Sequence, residues 1–193
     1  MTSETVNPPT RGNGRPLSVT ATATMISLAR GASLICTSIP SKWLRTMVID
    51  ADDSVRGVAT SGRHGRSFSL GIADAVTVLA RTASQADAAA TIIANAVDLP
   101  GHPAIVRCPA NELQPDSDLG SRLVTRDVGA LKESEVDDAL RAGAGRAQQL
   151  LVAGLIEGAA LRLLGETILV GSTGMAPALY AHHQSAIESA VHA

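Results

Sequence analysis

The apolar positions of this chain change period along its length, and the changes mark out its elements. The first sixteen residues, MTSETVNPPTRGNGRP, offer almost nothing to bury and are expected to be disordered. Residues 17–29 mix Thr and Ala with Val, Met and Leu, as either a strand or a weak helix would, and Pro40 closes an apolar stretch from Leu34 to Ile39. From Thr46 the pattern sharpens. TMVID predicts a strand, ADDSVRG a turn, GVATSG a strand running into a glycine turn, RSFSL a further short strand and ADAVTVLA a fully buried run. SQADAAATIIANAV predicts a helix capped at Ser84 and ended by Asp98, Pro100 and Gly101. Pro103, Pro109 and Pro115 punctuate residues 102–128, which are expected to form a long connecting loop with short strands. Val136, Leu140, Ala144, Ala147 and Leu151 stand three and four apart, the spacing of an amphipathic helix over 133–154 that stops at Gly154. GLIEGAALRLL suggests a second helix, ETILVGS a closing strand, and residues 173–193 a weakly patterned, helix-prone tail.

These elements predict an α/β chain of the α+β kind, a mixed sheet flanked by helices. Residues 1–16 form a disordered lead, 17–45 a segment of uncertain fold, 46–171 the main domain, and 172–193 a helical or flexible tail. At 193 residues and 45% hydrophobic content the chain can supply one sizeable core. Only 2% of residues are aromatic (Trp43, Phe68, Tyr180), so the core must be built from Ala, Val, Leu and Ile at close backbone approach. So few rings exclude a stacking platform for single-stranded nucleic acid, and a net charge of −2 gives no attraction to a polyanion or an anionic membrane. Cys36 and Cys108 form no CxxC or Cys/His pattern, which fits a reducing cytoplasm. Arg11 and Arg15 precede an apolar run, Leu17–Ile39, that superficially resembles a secretory signal, but Arg30 and many Thr and Ser make it too polar for that or for a membrane span.

Two segments carry candidate chemistry. In GVATSGRHGRSFSL small residues let backbone amides approach a ligand while Arg63, His64 and Arg66 supply positive charge, the combination a phosphate needs; a tight hairpin with solvated arginines has the same pattern. Asp87 and Thr91 stand four apart and share one helix face, where a carboxylate and a hydroxyl suit magnesium; the bland alternative is an early acid favoured by the helix dipole beside a half-buried filler. Asp74 is a third acid open to either reading. Cys108 with His102, the pair His182 and His183, and Asp116, Asp118 and Asp127 lack a spacing that demands nucleophile or metal chemistry. No Walker A, GxSxG or HExxH pattern occurs.

GVATSG, then AVTVLA, then ADAAATIIANAV resembles the C-terminal signature of the ApbE-like superfamily, the FAD:protein FMN transferases. A shorter prokaryotic branch is closer, on GVATSGRHGRSFSLGIADAVTVLA, ATIIANAVDLPGHPAI, LQPDSDLGSRLVT and GLIEGAALRL, a likeness from about Thr46 to Val170. The resemblance implies Mg2+ at Asp87 and Thr91 beside the pyrophosphate of FAD or FMN, and implies that Thr60, Ser61, Gly62 and Arg63 lie near that nucleotide. RSFSLGIAD stands where the transferases carry a histidine-containing stretch ending in a Pro-x-Thr-Gly turn, and residues 1–45 do not resemble the family's N-terminal half with its NGGD-type flavin segment. The expectation is therefore an ApbE-like protein that binds a flavin nucleotide and magnesium but is not catalytically complete alone, with a second copy or a partner chain covering exposed sheet edges. An active homo-oligomeric FMN transferase and a non-enzymatic partner-binding module are the alternatives.

Overall fold

The computed structural model describes residues 17–19, 23–25, 33–37, 46–50, 52–65 and 67–171. The expected disordered lead (1–16), the tail (172–193) with His182 and His183, and Arg66 lie outside the described residues. The elements in chain order are β1 (Leu17–Val19), β2 (Ala23–Met25), β3 (Ser33–Thr37), β4 (Thr46–Asp50), β5 (Gly57–Ser61), β6 (Ala75–Ala80), α1 (Ala83–Ala96), β7 (Ile105–Pro109), α2 (Ala110–Leu113), β8 (Leu123–Val128), α3 (Glu133–Val152), β9 (Gly158–Leu163) and β10 (Glu166–Gly171). The architecture is α+β, as the pattern predicts. Among the described residues the main sheet has the order β10-β9-β6-β5-β2 with antiparallel pairs, and the parallel pairing of β1 with β3 lies in the small sheet β1-β3-β4. A further pair, β7-β8, stands apart.

Cross-strand register sorts the main sheet into two faces, because directly opposed residues point the same way and neighbours along a strand point oppositely. Ala59, Val78, Ala159 and Val170 form one row, and Ser61, Val76, Leu161 and Ile168 the next row on the same face. These residues pack against Ala86, Ala89, Ala90, Ile93 and Ala94 of α1 and Val136, Ala139, Leu140 and Ala147 of α3. Burial of each Val, Leu or Ile in this layer contributes about 1.5–3 kcal/mol. The helices come close because glycine stands at the crossings. A Cβ at Gly57 would lie 2.2 Å from the carbonyl carbon and oxygen of Thr82, and one at Gly143 would lie 2.3 Å from Val97 Cγ2 and 2.8 Å from Leu161 Cδ2. The opposite face carries Val58 and Leu79, then Thr60, Thr77, Ala160 and Leu169, then Ala75, Arg162 and Thr167.

Three expectations are corrected. The cap of α1 is Thr82, not Ser84: Thr82 has the extended backbone (φ −138°, ψ 155°) that a cap requires, and its side chain accepts from the Gln85 amide at 3.2 Å. RSFSL is no strand over the residues described; the Ser69 carbonyl accepts from Thr125 N, and the Leu70 amide donates to Asn95 Oδ1 at 3.1 Å. The short strands expected within residues 102–128 are Ile105–Pro109 and Leu123–Val128, paired antiparallel. GAALRL is strand β9 and not helix, because α3 ends at the left-handed Gly154 (φ +69°), after which Gly158–Leu163 is paired on both sides, by β6 and β10. The segment 17–45, of uncertain fold by its pattern, contributes β1, β2 and β3, with β2 extending the main sheet beside β5.

The glycine contacts make opposite predictions at two positions. Gly57→Ala forces backbone against backbone and is expected to lower unfolding free energy by about 1–3 kcal/mol. Gly145→Ala, on the exposed side of α3 with no atom within 4 Å of its added methyl, is expected to raise it by about 0.5–1 kcal/mol. Urea denaturation midpoints of both variants check the pair.

Candidate functional site

The turn after β5 is built by backbone before any side chain acts. The Arg63 amide donates to the Ala73 carbonyl at 2.9 Å and the Gly65 amide to the Gly62 carbonyl at 2.9 Å. A side chain at Gly62 would put its Cβ 2.5 Å from the Asp74 carbonyl oxygen, so the position admits only glycine without displacement. Within this frame Arg63, 17% exposed, turns onto Asp74, 15% exposed: Nε donates to Oδ1 at 2.8 Å and a terminal nitrogen lies at 2.7 Å. His64 Nε2 sits 3.3 Å from the same oxygen and is half exposed. The other carboxylate oxygen, Oδ2, accepts from the Leu164 amide at 2.6 Å, and the Asp74 amide donates to the Arg162 carbonyl.

Asp74 thereby ties the β5–β6 turn to the β9–β10 turn, ninety residues on in the chain. The second turn needs positive φ at both central positions, and Leu164 (φ +47°) precedes Gly165 (φ +97°) there. A branched residue in that region is costly, and the charged hydrogen bond to its amide offsets the strain. Arg63, expected near a nucleotide, thus already holds a carboxylate. Thr60 and Thr77 are register partners and share a hydroxyl–hydroxyl hydrogen bond of 2.9 Å, while Ser61 lies on the helix-facing side of the sheet.

Asp87 and Thr91 both lie on the solvent face of α1, one turn apart, opposite the face that buries Ala86, Ala90 and Ile93. Neither makes an ion pair or hydrogen bond through its side chain among the described residues. Asp87 and Thr91 share the exposed face of α1, and Thr60, Gly62 and Arg63 lie at the end of β5. No group of three or more His, Cys, Asp or Glu side chains among the described residues is arranged to hold a metal, so a cation at Asp87 and Thr91 would take its remaining oxygens from water or a ligand phosphate, as magnesium commonly does. A groove of about 510 Å³ between the first turns of α3 and β10 is lined by Glu133, Asp137 and Glu166 with Leu140, Ile168 and Thr167. Its three carboxylates would repel a pyrophosphate.

Two further clusters hold the surroundings. Arg107 donates to the Asp98 carboxylate and the Leu70 carbonyl, joining β7 to the loop before β6. Glu135 accepts from the Lys132 amide at 2.8 Å and faces His102 Nε2 at 3.4 Å. Cys108 is half-buried with a free thiol, and Asp116, Asp118 and Asp127 do not converge on a common point that could hold a metal. Asp74 is the organising residue that pattern reading left ambiguous. The signal for it was an acid directly before a buried strand, where an unpartnered charge would be expensive.

An antiparallel α+β sheet covered on one face by two helices, with the TSG turn at one end and an Asp/Thr pair on the outer face of the first helix, is the class of protein defined here. The family model described as AbpE bacteria matches residues 18–169, and the chain belongs to that ApbE-like family. The match begins at residue 18, so it takes in the segment 18–45 that sequence reading had set outside the resemblance. The chain is also similar to the UPF0280 protein MK0206 of Methanopyrus kandleri, at 61% identity over 44 residues, which are 22% of this chain and 18% of that protein's length. Among the described residues no helix is long and apolar enough to cross a membrane.

The tether and the cap make testable predictions. Asp74→Ala leaves Arg63 unpaired and the Leu164 amide unanswered, and is expected to cost about 2–4 kcal/mol in chemical denaturation. Glu135 has its carboxyl held below the ordinary value of 4.5, chiefly by the Lys132 backbone amide against a smaller opposing effect of burial, with His102 adding to the lowering. A depressed carboxylate contributes stability that is fully present above 4.5 and is lost as pH falls through the folded value. Glu135→Gln is therefore expected to flatten the acid limb of stability below pH 4.5, measured as denaturation midpoint against pH.

Proposed function

We propose that this ApbE-like chain binds a flavin nucleotide together with magnesium, FAD or FMN being the ligand, and that one chain does not complete a transferase site. The observation that carries the reading is the pair Asp87 and Thr91: an exposed carboxylate and hydroxyl on one helix face, with no partner for either side chain among the described residues. Thr60, Ser61, Gly62 and Arg63 are the proposed contacts to the nucleotide. Magnesium, when bound, would neutralise pyrophosphate charge and ease departure of AMP as a protein hydroxyl takes the FMN phosphoryl group. The role of Asp87 would be to hold that cation through its carboxylate, with Thr91 adding a neutral oxygen one turn further along.

One feature supports incompleteness: Arg63 is engaged by Asp74. A second copy would supply the contact that Arg63, so engaged, does not. The physiological setting would then be a small-molecule nucleotide with a homo-oligomer, in the cytoplasm.

The test is the melting temperature with FAD, FMN or neither, each with and without magnesium. Selective binding at about one hundred times the dissociation constant stabilises by roughly 2.7 kcal/mol, or roughly 5–10 °C for a chain of this size. The expected result is a magnesium-dependent rise with FAD that Asp87→Ala abolishes while changing unliganded stability by less than about 0.5 kcal/mol. Absence of any shift, or a shift insensitive to Asp87, contradicts the reading.

A further inference from the structure

We infer a second ligand site, for a phosphate-type oxyanion, on the face of the main sheet opposite α1 and α3, with Arg162 and Thr167 as its principal contacts. The two residues are direct register partners across β9 and β10, so their side chains leave the sheet on the same face with Cβ atoms about 4.5–5.5 Å apart. Arg162 is half-buried, yet its guanidinium has no ion pair and no hydrogen bond among the described residues. The Thr167 hydroxyl oxygen is fully enclosed and also lacks a partner. An unpaired guanidinium beside an unanswered hydroxyl is a set of donors without an acceptor, and a tetrahedral oxyanion meets both.

Asp74 sits beside Ala75, the other register partner of Arg162, and is held by Arg63, His64 and the Leu164 amide. One row further along the same face, Thr60 and Thr77 share one hydroxyl hydrogen between them, which leaves the second free to donate. Thr167 also borders the groove beside α3 whose carboxylates are Glu133, Asp137 and Glu166, while its register places its side chain beside Arg162 on the opposite face.

This site does not rest on the magnesium reading, since α1 and the sheet lie between it and Asp87. The experiment titrates inorganic phosphate, without magnesium, into ¹⁵N-labelled full-length protein at constant ionic strength, and repeats the titration with AMP. Saturable shifts of the amides at 75–77, 160–163 and 166–168 are expected, with Arg162→Gln weakening binding at least about tenfold and Thr167→Val about threefold. Asp87→Ala is expected to leave the titration unchanged, so failure here and failure of the magnesium reading are separable. Tighter binding of AMP than of phosphate would identify a nucleotide phosphate as the occupant, and equal binding a free oxyanion. Should Arg162→Gln fail to fold, Arg162→Lys, which keeps the charge and loses the fork, is expected to weaken binding to a smaller degree. No saturation by about 10 mM phosphate, shifts confined to helix N-termini, or wild-type affinity in both the Arg162 and Thr167 variants would overturn the assignment.

Discussion

The constraint on which this structure depends is the narrow gap between one sheet face and two helices. A chain with one Phe, one Tyr and one Trp has no large rings to fill a core, and closes the gap instead by removing side chains. Gly57 meets the start of α1 backbone to backbone, and Gly143 brings α3 against Val97 and Leu161. Ala86, Ala89, Ala90 and Ala94 continue the same thin layer along α1. Close approach restores the dispersion contacts that small side chains would otherwise forfeit. Everything that could serve function follows from where this layer stops. The outward face of α1 is left to Asp87 and Thr91, and the far face of the sheet mixes Val58, Leu79 and Leu169 with threonines and Arg162.

Polar tethers then fix the ends that the apolar layer does not reach. Asp74 joins two turns that the chain separates widely, and its four donors satisfy a half-buried carboxylate while relieving a leucine held at positive φ. Arg107 does the same for the loop between Ser69 and Ile72, which has only single backbone hydrogen bonds to Thr125 and Val97. Much of the polar inventory near the TSG turn is therefore structural. This allocation is a physical reason for proposing that the chain is an incomplete catalyst: Arg63, a proposed nucleotide contact, is committed to Asp74.

Much of this was legible in the sequence where the signal is local. TMVID, GVATSG and AVTVLA became β4, β5 and β6, and the spacing from Val136 to Leu151 became α3. The pairing of Asp87 with Thr91 followed from helical geometry alone. What misled was composition without context. GAALRL has good helix formers, and only pairing with β6 and β10 makes it a strand. Prolines at 103, 109 and 115 hid a two-stranded ribbon whose strand β7 ends on Pro109. Contacts such as Asp74 with Leu164 or Arg162 with Thr167 depend on register between strands, which no local window contains.

The central claim is that one chain holds the ligands without completing the chemistry. It is tested most directly by incubating the monomeric protein with FAD, magnesium and a serine- or threonine-containing acceptor polypeptide and weighing the acceptor by mass spectrometry. The account predicts bound flavin and an acceptor of unchanged mass. An acceptor heavier by one FMN, formed by monomer and lost in Asp87→Ala, would contradict it and make this chain a self-sufficient transferase.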